Sequence, residues 1–225
     1  MGKIQPRDFG TLAALQAAVE ELLCNAFSHA DDAPTAVMLS GGSTPLPVYE
    51  AITKNPVTIS PALYLTFSDD RHVPIDSPDS NHGNTLPMIE ALQVPADRVI
   101  AVNTGVSLEE SAKQFEADFQ RFFDAGGRLS LALLGMGGDT HTCSLFTQEN
   151  LAAAKGHLAI PVVKDAPPHR VSVTPSVLEC AERVVFLVAG ASKAAVIEQL
   201  LNHPETTIAG QAVAGCEHVE LWYAL

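Results

Sequence analysis

Residues 131–146 read LALLGMGGDTHTCSLF, which puts an acid and a histidine two positions apart directly behind a glycine break. Histidine titrates near neutrality and is the usual proton-transfer side chain. A neighbouring carboxylate fixes its tautomer and stabilises its charged form. Asp139 and His141 are therefore the candidate catalytic pair. A lone histidine is more often structural, but an acid two residues before it at a glycine-marked strand end favours chemistry. Cys143 follows closely. A free cysteine behaves as a small apolar group, and packing is the preferred reading over a reactive thiol.

Three further clusters could grip an anion. In Ser40-Gly41-Gly42-Ser43-Thr44-Pro45 the glycines free backbone N–H groups, a following helix would present its positive end, and Ser43 and Thr44 can donate. The segment lacks the lysine of a P-loop, and an ordinary strand-to-helix turn is an equally good local reading. In Asp69-Asp70-Arg71-His72 the arginine could clamp a phosphate or carboxylate bidentately, and an acid could steer sugar hydroxyls. Taken alone, that motif reads better as a surface ion-pair loop. Asn81 and His82, in the same region, either cover the site or make a turn. Arg170 and Lys193 are isolated cations. Lys193 opens a helix, where its charge opposes the macrodipole unless an anion is bound; alone, each is best read as solvated. His29, His157, His169, His203 and His218 lack such contexts and are assigned to the surface.

These groups need a scaffold that brings them together. Apolar residues at helical spacing predict a helix over 12–30, and Gly126-Gly127 end another that Ser107 and Glu110 begin in capping-box fashion. Short apolar runs predict strands at 35–39, 63–67, 131–134, 158–163 and 184–188, an extended piece at 170–174, and an edge strand at 218–222. Further helices are expected from Pro45 to about Thr53, near 86–92 with Asn84 or Thr85 as cap, over 175–180 with Thr174 as cap, and from 193 through 201. The loop 75–84 should lie at the surface. Strands alternating with helices predict an α/β fold, a mostly parallel sheet with helices on both faces. The loops after Leu39, Phe67, Leu134 and Val188 should gather along one edge, where ligands bind in such sheets.

Bulk properties narrow the function. The 225 residues, 47% hydrophobic and 17% charged, suffice for a real core and are read as one domain over 1–225. A formal charge of −13 argues against nucleic-acid binding. It also means that an anionic substrate must be held by a local cluster of cations against the overall field. The four cysteines form no C-x-x-C pair, which fits a reducing compartment without a zinc site or disulfide framework. No secretory signal or membrane span is visible, so a cytoplasmic protein is expected. Oligomeric state is not legible.

Together the four segments closely resemble the glucosamine-6-phosphate isomerase/6-phosphogluconolactonase family, and within it the lactonases. Ser40–Pro45 is similar to the family's phosphate loop, and Ser68–Asn81 to its D-E-R-x-V-P…D…S-N segment. Leu133–Phe146 resembles L-L-G-M-G-x-D-G-H-x-A-S-L-F, and Arg170–Lys193 the R-x-(S/T)-x-(T/S)…F-L-V-x-G-x-x-K-A stretch. The resemblance implies a Rossmann-like fold shared with glucosamine-6-phosphate deaminases and ribose-5-phosphate isomerases. It implies hydrolysis of 6-phospho-D-glucono-1,5-lactone to 6-phospho-D-gluconate, with neither metal nor organic cofactor and a sugar-phosphate lactone as partner. The residues it assigns are His141 and Asp139 for catalysis, and Gly41, Gly42, Ser43, Thr44, Asp69, Arg71, Arg170 and Lys193 for substrate and phosphate. Asp70 stands where Glu is usual, Gly138 where Pro is common, and Thr140 where Gly is usual. A positive φ at 140 would strain a β-branched residue. Two rivals remain: an amino-sugar-phosphate deaminase or isomerase, and a non-catalytic sugar-phosphate-binding protein.

Overall fold

A computed structural model describes residues 4–29 and 33–225. In chain order the elements are β1 (Gln5–Asp8), α1 (Leu12–Ser28), β2 (Thr35–Leu39), α2 (Leu46–Lys54), β3 (Leu63–Phe67), β4 (Asp69–Arg71) and α3 (Asn81–Ala91). Then follow β5 (Val99–Ile100), α4 (Leu108–Asp124), β6 (Arg128–Gly135), α5 (Gln148–Ala153), β7 (Ala159–Val162), β8 (Arg170–Val173) and α6 (Pro175–Leu178). The last are β9 (Val184–Ala189), α7 (Ala194–Asn202), α8 (Ile208–Ala212) and β10 (Val219–Ala224). The expected extension of α1 to Ala30 lies outside the described residues.

Seven strands form one sheet in the order β1-β10-β9-β6-β2-β3-β5, all parallel. The chain first builds outward from β2 to β3 and β5, then returns to place β6 on the other side of β2. The β2/β6 boundary is therefore the topological switch point, where the strand ends diverge and leave a crevice.

The inner strands of this sheet are apolar on both faces, as a doubly covered parallel sheet requires. Ala36 and Met38 of β2 enter one core with Phe115 and Phe119 of α4, while Val37 and Leu39 enter the other with Leu15, Val19, Leu23 and Phe27 of α1. Successive strand residues point to opposite faces, and every fourth helix residue lines one stripe. In β6 this alternation breaks once. Ala36 pairs with Leu129, but Val37 pairs with Leu131, leaving Ser130 as a bulge whose hydroxyl donates to the Ala36 carbonyl at 3.2 Å.

A second sheet, β4-β8-β7, is antiparallel and was not foreseen. The expected pieces at 158–163 and 170–174 belong to it rather than to the main sheet. Only Ser68 separates β3 from β4, so the motif Asp69–Arg71, read as a loop, is a strand carried straight on from the main sheet. Four other expectations need correction. The last strand is not at the edge: β10 lies between β9 and β1, and β1, with all four residues exposed, carries no apolar pattern to announce it. α3 begins at Asn81, with Ser80 as N-cap, not near Leu86, because Asp70 accepts from the first two N–H groups of the helix. Ser107 accepts from Glu110 N, but the Glu110 carboxylate accepts from Gln114 instead of reaching back. Thr174 precedes α6, yet its hydroxyl donates to the His157 carbonyl. Among the described residues no helix is long and apolar enough to cross a membrane.

Candidate active site

The carboxyl ends of β2, β3, β6 and β9 converge on one cavity of about 420 Å³, within the range of small-ligand sites. Its wall includes Ser40, Gly41, Gly42, Ser43, Thr44, Asp69, Arg71, His141, Arg170 and Lys193. Of the ten residues the resemblance assigns to the site only Asp139 is off the wall, and its carboxylate touches His141 Nδ1.

The catalytic turn follows β6. Gly137 N donates to the His141 carbonyl at 2.9 Å and Thr140 N to the Gly137 carbonyl at 3.1 Å, closing a tight loop. A Cβ on Gly137 would sit 2.1 Å from His141 Nδ1 and 2.3 Å from Asp139 Oδ1, so only glycine lets the pair pack over it. His141 Nδ1 lies 2.5 Å from Asp139 Oδ1. The contact makes Nδ1 the donor, so in the neutral ring it is Nε2 that keeps the lone pair. Partial burial pushes the Asp139 carboxyl up, but the hydrogen bond and charge of His141 outweigh it and hold it below the usual carboxylate range. The His141 ring packs 4.5 Å, centroid to centroid, from Phe146.

The anion cradle follows β2. Gly42 has φ +108°, a glycine conformation. A Cβ on Gly41 would lie 1.9 Å from Asn81 Oδ1, so the loop and α3 touch backbone to side chain. Tyr49 of α2 anchors the loop by donating to the Ser40 carbonyl at 2.9 Å. The Ser40 hydroxyl, 4% exposed and on the cavity wall, has no hydrogen-bond partner among the described residues. A buried hydroxyl left unpaired calls for an explanation, and a ligand oxygen in the cavity supplies one.

Three cations face the cradle. Arg71 and Arg170 sit directly opposite each other in the β4–β8 ladder. Arg71 Nη1 donates to the Asp79 carbonyl at 2.6 Å, and Arg170 Nη1 to the Pro168 carbonyl at 2.7 Å. Burial, and then the positive charge of Arg71, lower the Arg170 pKa; Asp69, Asp79 and Asp70 act against them. Lys193, in the short turn before α7, donates from Nζ to the Met136 carbonyl at 3.0 Å. A fourth cation, Lys164, was missed: its Nζ lies 3.5 Å above the Phe146 ring and it lines the cavity. It sits in a loop after β7 with no motif around it, so sequence offered no signal.

Asp69, 9% exposed, accepts from Ser68 Oγ at 2.9 Å and Ser144 Oγ at 2.6 Å. Asp70 faces away from the cavity and caps α3. Burial raises its pKa above the ordinary value despite backbone donors from His82, Asn81 and Arg71. Asn81 lines the cavity and donates to the Asp69 carbonyl, whereas His82 packs on Phe67 with its pKa lowered by burial. Burial, and then the charge of Asp69, push the Cys143 thiol well up, which agrees with a packing role. Among the described residues no group of three or more His, Cys, Asp or Glu side chains could hold a metal ion.

The family model described as glucosamine-6-phosphate isomerases/6-phosphogluconolactonase matches residues 10–222. The chain belongs to this family. It is 32% identical over 182 residues to the human 6-phosphogluconolactonase, covering 76% of this chain and 69% of that one. It is 34% identical over 171 residues to that of Nostoc, covering 73% and 70%. The crystal structure of 6-phosphogluconolactonase from Thermotoga maritima superposes with a TM-score of 0.76 over the full length of both chains at 27% identity. Thr140, where the resemblance implies Gly, has φ +69°. The strain anticipated for that position is real, and the turn is formed nonetheless.

Proposed function

We propose that the chain hydrolyses the ring ester of 6-phosphoglucono-δ-lactone. The observation that carries this reading is the Asp139–His141 contact at 2.5 Å, with His141 on the wall of a cavity that the 40–45 loop and the cations Arg71, Arg170 and Lys193 also line. A water between His141 Nε2 and the C1 carbonyl would lose its proton to the imidazole as its oxygen bonds to C1. The C1 oxygen becomes an oxyanion. As the tetrahedral intermediate collapses, the bond between C1 and the ring oxygen breaks, and the imidazolium gives its proton to that oxygen. Asp139 stabilises the charged imidazole throughout. Gly137 N–H is engaged by the His141 carbonyl, so the oxyanion falls to other donors, and Lys164 is the cation nearest the Phe146 side of the imidazole.

Ser43, Thr44, Arg71, Arg170 and Lys193 hold the phosphate, with Ser40 and the backbone of Gly41 and Gly42, while Asp69 faces the sugar hydroxyls. Gripping a remote charged group places the carbonyl against the water and converts binding into orientation. One domain over 1–225, a cytoplasmic setting and a small sugar-phosphate partner belong to the same reading.

The deaminase reading is weaker. Deaminases of the family resemble this chain but carry a glutamate shortly after the histidine, and here Phe146 takes that place and packs on His141. A binding protein without turnover would need only the cradle and leaves the Asp139–His141 pair without a task. The test is a coupled assay in which the lactone is generated in place and spontaneous hydrolysis is subtracted. Wild type should accelerate hydrolysis, and His141→Ala should lose about 10²–10⁴-fold in kcat with product affinity little changed. Near-normal turnover by His141→Ala removes His141 as the base, and ammonia release from glucosamine 6-phosphate transfers the assignment to the deaminases.

A further inference from the structure

Thr140 stands between the two catalytic side chains in a backbone conformation that β-branched residues avoid, with φ +69°. A side chain kept there against its steric preference asks what holds it. Its hydroxyl accepts from Ile208 N at 3.2 Å and its carbonyl from Ala209 N at 2.9 Å. These are the first two backbone N–H groups of α8, which have no acceptor inside their own helix. The third, Gly210 N, is taken by the N-cap hydroxyl of Thr207 at 2.9 Å. Thr140 thus supplies from 68 positions away what the local cap leaves unmet.

The helix it grips is a firm anchor. Ile208, Ala209 and Ala212 are buried in the core that holds α4 and Phe186. A Cβ on Gly210 would lie 2.2 Å from the Pro204 carbonyl oxygen, so the turn before α8 is packed against its backbone. Without that attachment, the 137–141 turn would rest on its own internal hydrogen bonds, the half-exposed Asp139–His141 contact and the packing of His141 on Phe146.

We propose that Thr140 is a positioning residue for the reaction: its hydroxyl and carbonyl fasten the Asp139–His141 turn to the buried start of α8 and thereby hold the imidazole against the cavity. A glycine at this position would be free of strain but would carry no hydroxyl. The proposal rests on the reading of His141 as the base, and its test separates the two.

Thr140→Ser keeps the hydroxyl, Thr140→Val keeps the shape without it, and Thr140→Gly removes both strain and hydroxyl; the backbone carbonyl that accepts from Ala209 N stays in all three, so the series tests the hydroxyl arm of the tether. Displacement of a reacting group by a fraction of an ångström to 1 Å costs up to about 10²-fold in rate. Thr140→Val and Thr140→Gly should therefore lose roughly tenfold in kcat with KM within about twofold, and Thr140→Ser should stay within about twofold of wild type in both. The Nδ1 proton of His141, followed by NMR in the full chain without substrate, should keep its strongly hydrogen-bonded shift in Thr140→Ser and lose it in Thr140→Gly. Thr140→Gly relieves the positive φ, so it decides the matter even where Thr140→Val fails to fold. Wild-type kcat in Thr140→Gly, or an unaltered Nδ1 resonance in that variant, overturns the proposal. Thr140→Ser as impaired as Thr140→Gly also overturns it, because the hydroxyl is then not the tether. His141→Ala run alongside tells the failures apart: if it is inactive while Thr140→Gly is unaffected, the base stands and the tether falls.

Discussion

The Ser144 hydroxyl donates to Asp69 Oδ2 at 2.6 Å, joining the loop after β6 to the start of β4 across 75 positions of sequence. Both groups are buried, and Ser68 takes the other carboxylate oxygen at 2.9 Å. A buried carboxylate is tolerated when hydroxyls of this kind satisfy it. Removing one donor leaves a charged group underfed, a loss of about 1–3 kcal/mol. Ser144→Ala should therefore lower the free energy of unfolding by that amount in a denaturant titration, and Ser144→Thr, which keeps the hydroxyl, should lose less. Equal stability of Ser144→Ala and wild type would show that the bond contributes nothing net.

Arg71 and Arg170 face each other across the ladder, an arrangement that is unfavourable until an anion sits between them. A ligand bound only by the folded chain stabilises it by about 2.7 kcal/mol at a hundredfold excess over Kd. 6-Phosphogluconate should accordingly raise the melting temperature. The rise should be largely lost in Arg170→Met, whose own melting temperature without ligand should not fall, because the repulsion is gone. A full ligand-induced shift in that variant would take Arg170 out of the phosphate grip.

Lys193 and Lys164 are expected to fail differently. Lys193, tied to Met136, faces the cradle, so Lys193→Met should mainly raise KM, by about tenfold or more for a lost charge-assisted contact. Lys164, poised over Phe146 beside the imidazole, is placed to meet charge that develops at C1. Lys164→Met should lower kcat, by roughly 10-fold or more if it is an oxyanion donor, with a smaller change in KM. Steady-state kinetics separate the two, and the reverse pattern would exchange their roles.

Asp139→Asn preserves size but replaces an acceptor of the Nδ1 proton with an amide that can present either oxygen or nitrogen. Loss of a carboxylate partner both unsettles the tautomer and withdraws support from the imidazolium, with a rate penalty that reached about 10⁴-fold in the Ser-His-Asp case. The variant should lose at least about tenfold in kcat by that reasoning, with KM little moved. Unchanged kcat would leave Asp139 with a role only in folding the turn.

The pH dependence of stability should carry the mark of Asp70. Its carboxyl titrates higher in the folded chain than the ordinary value of 3.8, because burial penalises the charged form more than the backbone donors favour it. Ionising it therefore costs folding free energy. The stability contributed by the protonated carboxyl is present in full below the unfolded pKa and disappears as pH rises through the raised folded value. As pH rises from the ordinary carboxylate value through that raised one, stability measured by denaturant titration should fall more steeply in wild type than in Asp70→Asn. Identical slopes would mean that the backbone donors fully offset the burial.

Most of this site can be read directly from the chain because parallel strands end in loops on one edge. Four strand ends with glycines, hydroxyls, an acid and a base therefore had to meet. The pairing of His141 with Asp139 was legible from their spacing, and the strain at Thr140 from its β-branch. What could not be read was long-range. Lys164 reaches the cavity only because β7 and β8 make a separate antiparallel sheet, and nothing in residues 158–174 distinguishes that sheet from more of the main one. Asn81 reads in the sequence as cover or turn because its helix start is set by the distant acid at Asp70, not by a local cap alone. β1 escaped notice because all four of its side chains are exposed and hydrophobic periodicity has nothing to report there.

The bulge at Ser130 has a reach beyond β6 itself. It inserts a half-step into the up-down rhythm of the strand, so Leu133 and Leu134 are seated on the faces opposite to those an unbroken count from Leu129 would assign. The turn bearing the acid and the imidazole inherits that phase when it leaves the sheet. Deleting Ser130 would restore plain alternation and leave Leu131 to Leu134 on the faces they already occupy, so that loss alone would not re-aim the turn. Losing one residue between Leu131 and Leu134 with the bulge kept would hand the departing backbone to the other side of the molecule, and the reacting groups would be aimed away from the crevice although every one of them was still present.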